Sequence, residues 1–164
     1  NNSSIGFFSG GGIISQETID CFSIGIINAH KGFLPMYKGM NVAQASIAED
    51  RNDLIGLTSH LIERGIDTGP IIRFLKVNAY QYTNINSLKN EMSAIIPFLI
   101  IFSYFRLVID SFNPIKQEKT GRQYYVMHKI LMNILSNIYK ADLEFLEKKD
   151  LYKDISKILD KINS

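Results

Sequence analysis

Asn28, His30 and Asp67 are side chains whose types could together do chemistry. An amide can stabilise an oxyanion, an imidazole can move a proton, and a carboxylate can orient the group that moves it. Asn28 and His30 follow the apolar run Gly25-Ile26-Ile27, and Asp67 lies in the glycine-flanked turn Gly65-Ile66-Asp67-Thr68-Gly69. Each also has a plain structural use: Asn28 ends a strand, His30 sits in a loop, and Asp67 serves the turn, where aspartate is common.

The elements that must position them follow from the patterning. Ile5 to Phe8 predicts a short buried strand, and Ser9-Gly10-Gly11-Gly12 after it lets the backbone turn sharply and approach a ligand. The spacing is neither the dinucleotide G-x-G-x-x-G nor a Walker motif, which disfavours a phosphate cradle. Ser15 caps a helix through about Phe22, with Glu17 in its first turn, and Gly25-Ile26-Ile27 makes the next strand. Two strands joined by a helix predict a parallel pair, with Asn28 and His30 at a carboxyl end, where open α/β sheets hold ligands.

Between His30 and Asn41 an irregular stretch predicts an ordered loop over the site. Asn41 then caps a helix through Glu49. Leu54 to Ile62 and Pro70 to Val77 read as strands joined by the Asp67 turn, an antiparallel hairpin at a sheet edge. From Asn84 the period becomes helical, with Leu88, Met92, Ile95, Leu99 and Phe102 on one stripe and Pro97 placed to kink or split it, until Asn113-Pro114 ends the helix. Met127, Ile130, Leu131, Ile134 and Ile138 mark another helix. A last one runs from about Ala141 to Ile162, broken near Asp150, with Leu151, Ile155, Ile158 and Ile162 on a stripe that could pack or form a homodimer contact.

A chain of 164 residues can bury a core without staples. Its lone Cys21 reads as a buried thiol in a reducing compartment. The net charge is +2, with the lysines toward the C-terminus interleaved with acids, a solvated helical face rather than a nucleic-acid groove. The apolar run Ala94 to Phe105 falls short of the about 20 residues a bilayer span takes and reads as a buried helix, with its aromatics in the core. No leader pattern opens the chain, so a cytoplasmic location is expected. No Cys/His set has zinc spacing, and no metal is expected. His60 on its strand, His128 on its helix, and Tyr124 and Tyr125 are assigned to packing.

Three motifs occur in order: Asn28-Ala29-His30, then Leu34-Pro35-Met36-Tyr37-Lys38-Gly39, then Gly65-Ile66-Asp67-Thr68-Gly69-Pro70-Ile71-Ile72. With them the sequence resembles the formyltransferases that use 10-formyltetrahydrofolate, a family that includes enzymes acting on glycinamide ribonucleotide, methionyl-tRNA and amino sugars, and a formyltetrahydrofolate hydrolase. The resemblance is good from about Ile5 to Val77 and weakens into the helices. It implies a partial Rossmann-like α/β fold: a truncated, mostly parallel sheet with an edge hairpin, the family's N-terminal half lying outside the chain, followed by C-terminal helices. Residues 1–112 would then be the C-terminal part of the catalytic domain and residues 113–164 a helical extension. His30 is followed by Lys31-Gly32-Phe33, where many members have Pro-Ser-Leu.

The resemblance implies that an amine attacks the formyl carbon of 10-formyltetrahydrofolate. Asn28 and His30 would stabilise the oxyanion, while Asp67 would orient His30. Backbone of Gly11, Gly12, Ile13 and Ile14, with Gly65 and Ile66, would form the folate pocket. The implied acceptor is a small-molecule amine, an amino sugar nucleotide or glycinamide ribonucleotide, with methionyl-tRNA less favoured. Hydrolysis of the same donor and a non-catalytic interaction module are the alternatives.

Overall fold

In a computed structural model, residues 4–10 and 12–162 are described, with side-chain surroundings given up to Glu147. Four strands form one sheet in the order β1 (Ile5–Phe8), β2 (Gly25–His30), β4 (Gly56–Leu61), β5 (Ile71–Lys76). Helix α1 (Gln16–Asp20) joins the parallel pair β1 and β2, and Ser15 caps it by accepting a hydrogen bond from the Thr18 N–H. The other two pairings, β2 with β4 and β4 with β5, are antiparallel. The α/β class therefore stands, while within this sheet parallel pairing is confined to β1 and β2. The physical reason lies in the connections. The chain leaves β2 at His30 and re-enters β4 beside it, with His30 opposite Thr58, so no crossover is made. The hairpin of β4 and β5 stands at the sheet edge as its short turn predicts.

The loop between His30 and Asn41 holds a short strand, β3 (Tyr37–Gly39), which the sequence does not announce. It pairs in parallel with β6 (Arg122–Tyr124), some 85 positions away in the chain. Tyr37 stacks on Tyr124, with ring centroids 5.4 Å apart, and both hydroxyls donate to the Glu49 carboxylate, at 2.8 and 2.7 Å. Tyr124 thus packs, as expected, and also bonds. Helix α2 (Val42–Ala48) follows Asn41, which is in the left-handed region at φ 53° and makes no side-chain cap. Its Oδ1 instead accepts from the Met127 N–H, tying α2 to the chain's return.

Helix α3 (Ile85–Val108) starts at Asn84, whose side chain accepts from the Ser87 N–H. It runs through Pro97 as one element and ends at Val108, before Asn113. By length and composition it could cross a membrane. Leu88, Met92 and Leu99 bury one stripe against the sheet. Phe98, Phe102 and Phe105 are exposed, contrary to the expected core placement, because the other side of the helix has no covering element among the described residues. Phe7 on the edge strand β1 meets Tyr104 beside that exposed face.

Residues after Phe112 fold back on the preceding sheet. Ile115 bridges to Ile71, and α4 (Lys129–Ile162) sends Leu135 and Tyr139 into the central cluster with Ile27, Leu57 and Leu88. The Tyr139 hydroxyl donates to the carbonyls of Ala79 and Tyr82. α4 is continuous, so the expected break near Asp150 is absent; the side chains of Leu151, Ile155, Ile158 and Ile162 lie outside the described residues. Cys21 is exposed rather than buried, its thiol donating to the Glu17 carbonyl, because the short α1 lies on the surface.

Candidate active site

Strand β2 places Asn28 and His30 two residues apart, on one face of the sheet. The register sets His60 opposite Asn28 and Thr58 opposite His30 on the neighbouring β4. Asn28 Nδ2 lies 3.1 Å from His60 Nε2, and His60 Nδ1 lies 2.8 Å from the Leu61 carbonyl. With the His60 Nδ1–H donating to that carbonyl, its Nε2 accepts from Asn28, which fixes the asparagine amide group.

Asp67 sits in the β4–β5 turn at φ 54°, a left-handed conformation that aspartate tolerates better than most residues. Its Oδ2 accepts from the Gly39 N–H at 2.8 Å and lies 3.3 Å from His30 Nδ1; its Oδ1 lies 3.5 Å from His60 Nε2. Burial pushes the Asp67 carboxyl upward, but the neighbouring His60 and His30 rings and the Gly39 N–H outweigh it and hold the group below the usual carboxylate range. Asp67 is therefore an anion in this setting.

His30 is buried, and its Nε2 lies 2.8 Å from the Tyr37 carbonyl. Both ring nitrogens thus face oxygen acceptors, an arrangement satisfied in full by the imidazolium. Burial nevertheless lowers its proton affinity below that of an ordinary histidine; the Asp67 charge and the Tyr37 carbonyl oppose this, and His60 adds to it. An imidazole so placed holds its proton between two acceptors and releases it more readily than free histidine.

The turn that carries Asp67 is held from a distance. Gln117 Nε2 donates to the carbonyls of Asp67, at 2.9 Å, and Gly69, at 2.6 Å. Gly69 lies against the Leu61 carbonyl, where a Cβ would collide. Thr58 supports the loop after His30, accepting from the Leu34 N–H at 3.2 Å and donating to the Gly32 carbonyl.

Asn28, His30 and Asp67 all line one cleft of about 710 Å³, together with Gly12, Ile13 and Ile66. Ile14 and Gly65 are not part of its wall; a Cβ on Gly65 would run into Thr68, so that glycine serves the turn. Gly11 lies outside the described residues. Sequence reasoning missed His60 and Gln117 as neighbours of the site. The strand register betrays His60 once β2 and β4 are paired, whereas no local signal marks Gln117. Among the described residues no cluster has the make-up to hold a metal ion.

An amide, an imidazole and a carboxylate gathered in one cleft are groups that can stabilise an oxyanion and move a proton. The family model described as "Formyl transferase" matches residues 9–95, over half of the chain, and the chain belongs to that family. A methionyl-tRNA formyltransferase of Lachnospira eligens is 28% identical over 83% of the chain and 43% of its own length; one of Trichormus variabilis is 26% identical over 70% and 34%. The formyltransferase PseJ of Anoxybacillus kamchatkensis, solved with UDP-4,6-dideoxy-4-formamido-L-AltNAc and tetrahydrofolate, superposes with a TM-score of 0.63 at 26% identity, covering 74% of this chain and 63% of that one. A phosphoribosylglycinamide formyltransferase of Bacillus halodurans shares the fold, with a TM-score of 0.55 at 22% identity over 65% of this chain and 55% of that one. The chain spans less than half the length of the curated relatives named here.

Proposed function

We propose that the protein bearing this chain transfers a formyl group from 10-formyltetrahydrofolate to the amine of a small molecule, with a nucleotide-linked amino sugar as the preferred acceptor. The observation that carries this reading is the convergence of Asn28, His30 and Asp67 on one cleft, with the Asp67 carboxylate 3.3 Å from the His30 ring. The cleft suits the donor's flat, polar ring: Ile13 and Ile66 present exposed apolar surface at its wall, and the Asp67 carboxylate stands beside them. The folate supplies the formyl carbon in activated form. As an amine adds to that carbon, the Asn28 amide and the protonated His30 stabilise the charge on the formyl oxygen. Asp67 orients His30 and assists proton transfer: the carboxylate side takes the proton that the amine loses, His30 gives its proton to the folate nitrogen, and the bond from that nitrogen to the formyl carbon breaks as tetrahydrofolate leaves.

The ligands bound to PseJ support a folate donor and a sugar-nucleotide acceptor. A second reading, a methionyl-tRNA acceptor, draws on the relatives of that name. The test is to incubate the full-length protein with 10-formyltetrahydrofolate and each acceptor class in turn, and to repeat with His30→Ala. Turnover on an amino sugar nucleotide that collapses in the variant supports the proposal. Turnover only on methionyl-tRNA selects the second reading, and unchanged turnover in the variant removes His30 from the mechanism.

A further inference from the structure

Next to the catalytic residues the cleft carries two cations that the reaction above does not use. Lys31 directly follows His30, one peptide or about 3.8 Å along the backbone, and Lys89 lies in the second turn of α3. The Lys31 ammonium donates to Ser93 Oγ at 2.6 Å, and the Ser93 hydroxyl donates to the Lys89 carbonyl at 2.8 Å. All three side chains line the same cleft as Asn28, His30 and Asp67. Among the described residues neither lysine lies within ion-pair distance of a carboxylate. Burial first, and the charge of Lys89 second, lower the proton affinity of Lys31. Paired cations without an acid between them, in a concave site, are stabilised by an oxyanion that accepts from both.

We propose that Lys31, Lys89 and Ser93 form an anion subsite that holds a phosphate group of the formyl acceptor. This deepens the transferase reading and rests on it for the word acceptor. The amine must reach the formyl carbon beside Asn28 and His30, and an anion held by Lys31 lies within a small molecule's length of that point. Met92 and Ile96 of α3 line the cleft beside the lysines and give the intervening part of the acceptor an apolar wall. A phosphorylated amine, such as a nucleoside diphosphate amino sugar, has this sequence of groups, and a neutral amine does not.

The test has two arms, both on the full-length protein. Calorimetric titration with inorganic pyrophosphate should detect binding, weakened about 10-fold or more in Lys31→Met and in Lys89→Met, the loss expected for one charged hydrogen bond. No binding by the wild type, or equal binding by the variants, overturns the subsite. Lys89→Met, on a long helix, keeps the question answerable should Lys31→Met not fold. In the kinetic arm, the KM of a phosphorylated amine should rise in the variants while that of its dephosphorylated counterpart and that of the donor stay put. A rise in the donor KM alone would assign the lysines to a carboxylate of the folate and overturn the acceptor subsite. If no amine is formylated, the transferase reading fails, and the calorimetric arm still decides whether the anion site exists.

Discussion

Replacing Asp67 with asparagine isolates the charge at the site from its shape. Asparagine accepts the left-handed backbone at φ 54°, so the turn and the clamp from Gln117 should survive. The Gly39 N–H demands an oxygen, which leaves the new amide nitrogen facing His60 Nε2, already the acceptor of the Asn28 amide. What disappears is the attraction between carboxylate and imidazolium across 3.3 Å. At an effective dielectric constant of about 20 that attraction is about 5 kcal/mol. At about 1.4 kcal/mol per factor of ten it sets a ceiling between three and four decades in rate. The expected outcome for Asp67→Asn is a fall in kcat of about a thousandfold, with the thermal midpoint moved by no more than a few degrees and donor KM little changed. Steady-state formyl transfer by the full-length protein, with circular dichroism melts on the same samples, measures all three. Turnover within a few-fold of wild type in a folded Asp67→Asn protein would refute the electrostatic role.

Three further outcomes follow from the same geometry. Asn28→Ala should lower kcat about 100-fold to 1000-fold, the usual cost of one oxyanion donor, and stopped-time product assays would show it. Gln117→Leu strips two buried carbonyls of their donor and should cost about 1–3 kcal/mol of stability by urea unfolding, with kcat falling because the Asp67 turn loosens; an unchanged midpoint and kcat would reject the clamp. For pH, the folded His30 binds its proton less tightly than the unfolded chain does, near pH 6.5. Folding therefore disfavours its protonation, so stability falls as pH drops below about 6.5, and His30→Gln should flatten that fall in pH-dependent melts. Asp67 has the depressed carboxyl of the opposite charge type; its contribution is complete above about pH 3.9 and is lost as pH falls through its lowered folded value.

Much of the fold could be read from local pattern. The apolar runs gave β1, β2 and the β4–β5 hairpin, and Ser15 was legible as a cap because a cap acts within three residues of itself; Asn84 marked only the change of period, and its capping of α3 is a finding of the structure. Asn41 also looked like a cap in sequence, but its side chain bonds to the Met127 N–H, a tertiary partner no local rule contains. β3 and β6 are three residues each and exist through one another, so neither has a period to detect. The site was legible to the extent that its members lie at strand ends and in a turn. His60 looked like packing because its role depends on register, which sets it against Asn28, and Gln117 reaches the Asp67 turn from 50 residues away. The exposed Phe98, Phe102 and Phe105 show a further boundary: composition marks a helix face as apolar without saying what covers it.

Formyl transfer through His30 is followed most directly with a carbon-13-labelled formyl group. The full-length protein and its His30→Ala variant would be given labelled 10-formyltetrahydrofolate and an amino sugar nucleotide, and the product read by mass spectrometry. The wild type should yield labelled formamide, and the variant should lose at least two decades of rate. Label released only as formate, or labelled formamide made equally fast without His30, would contradict formyl transfer through His30.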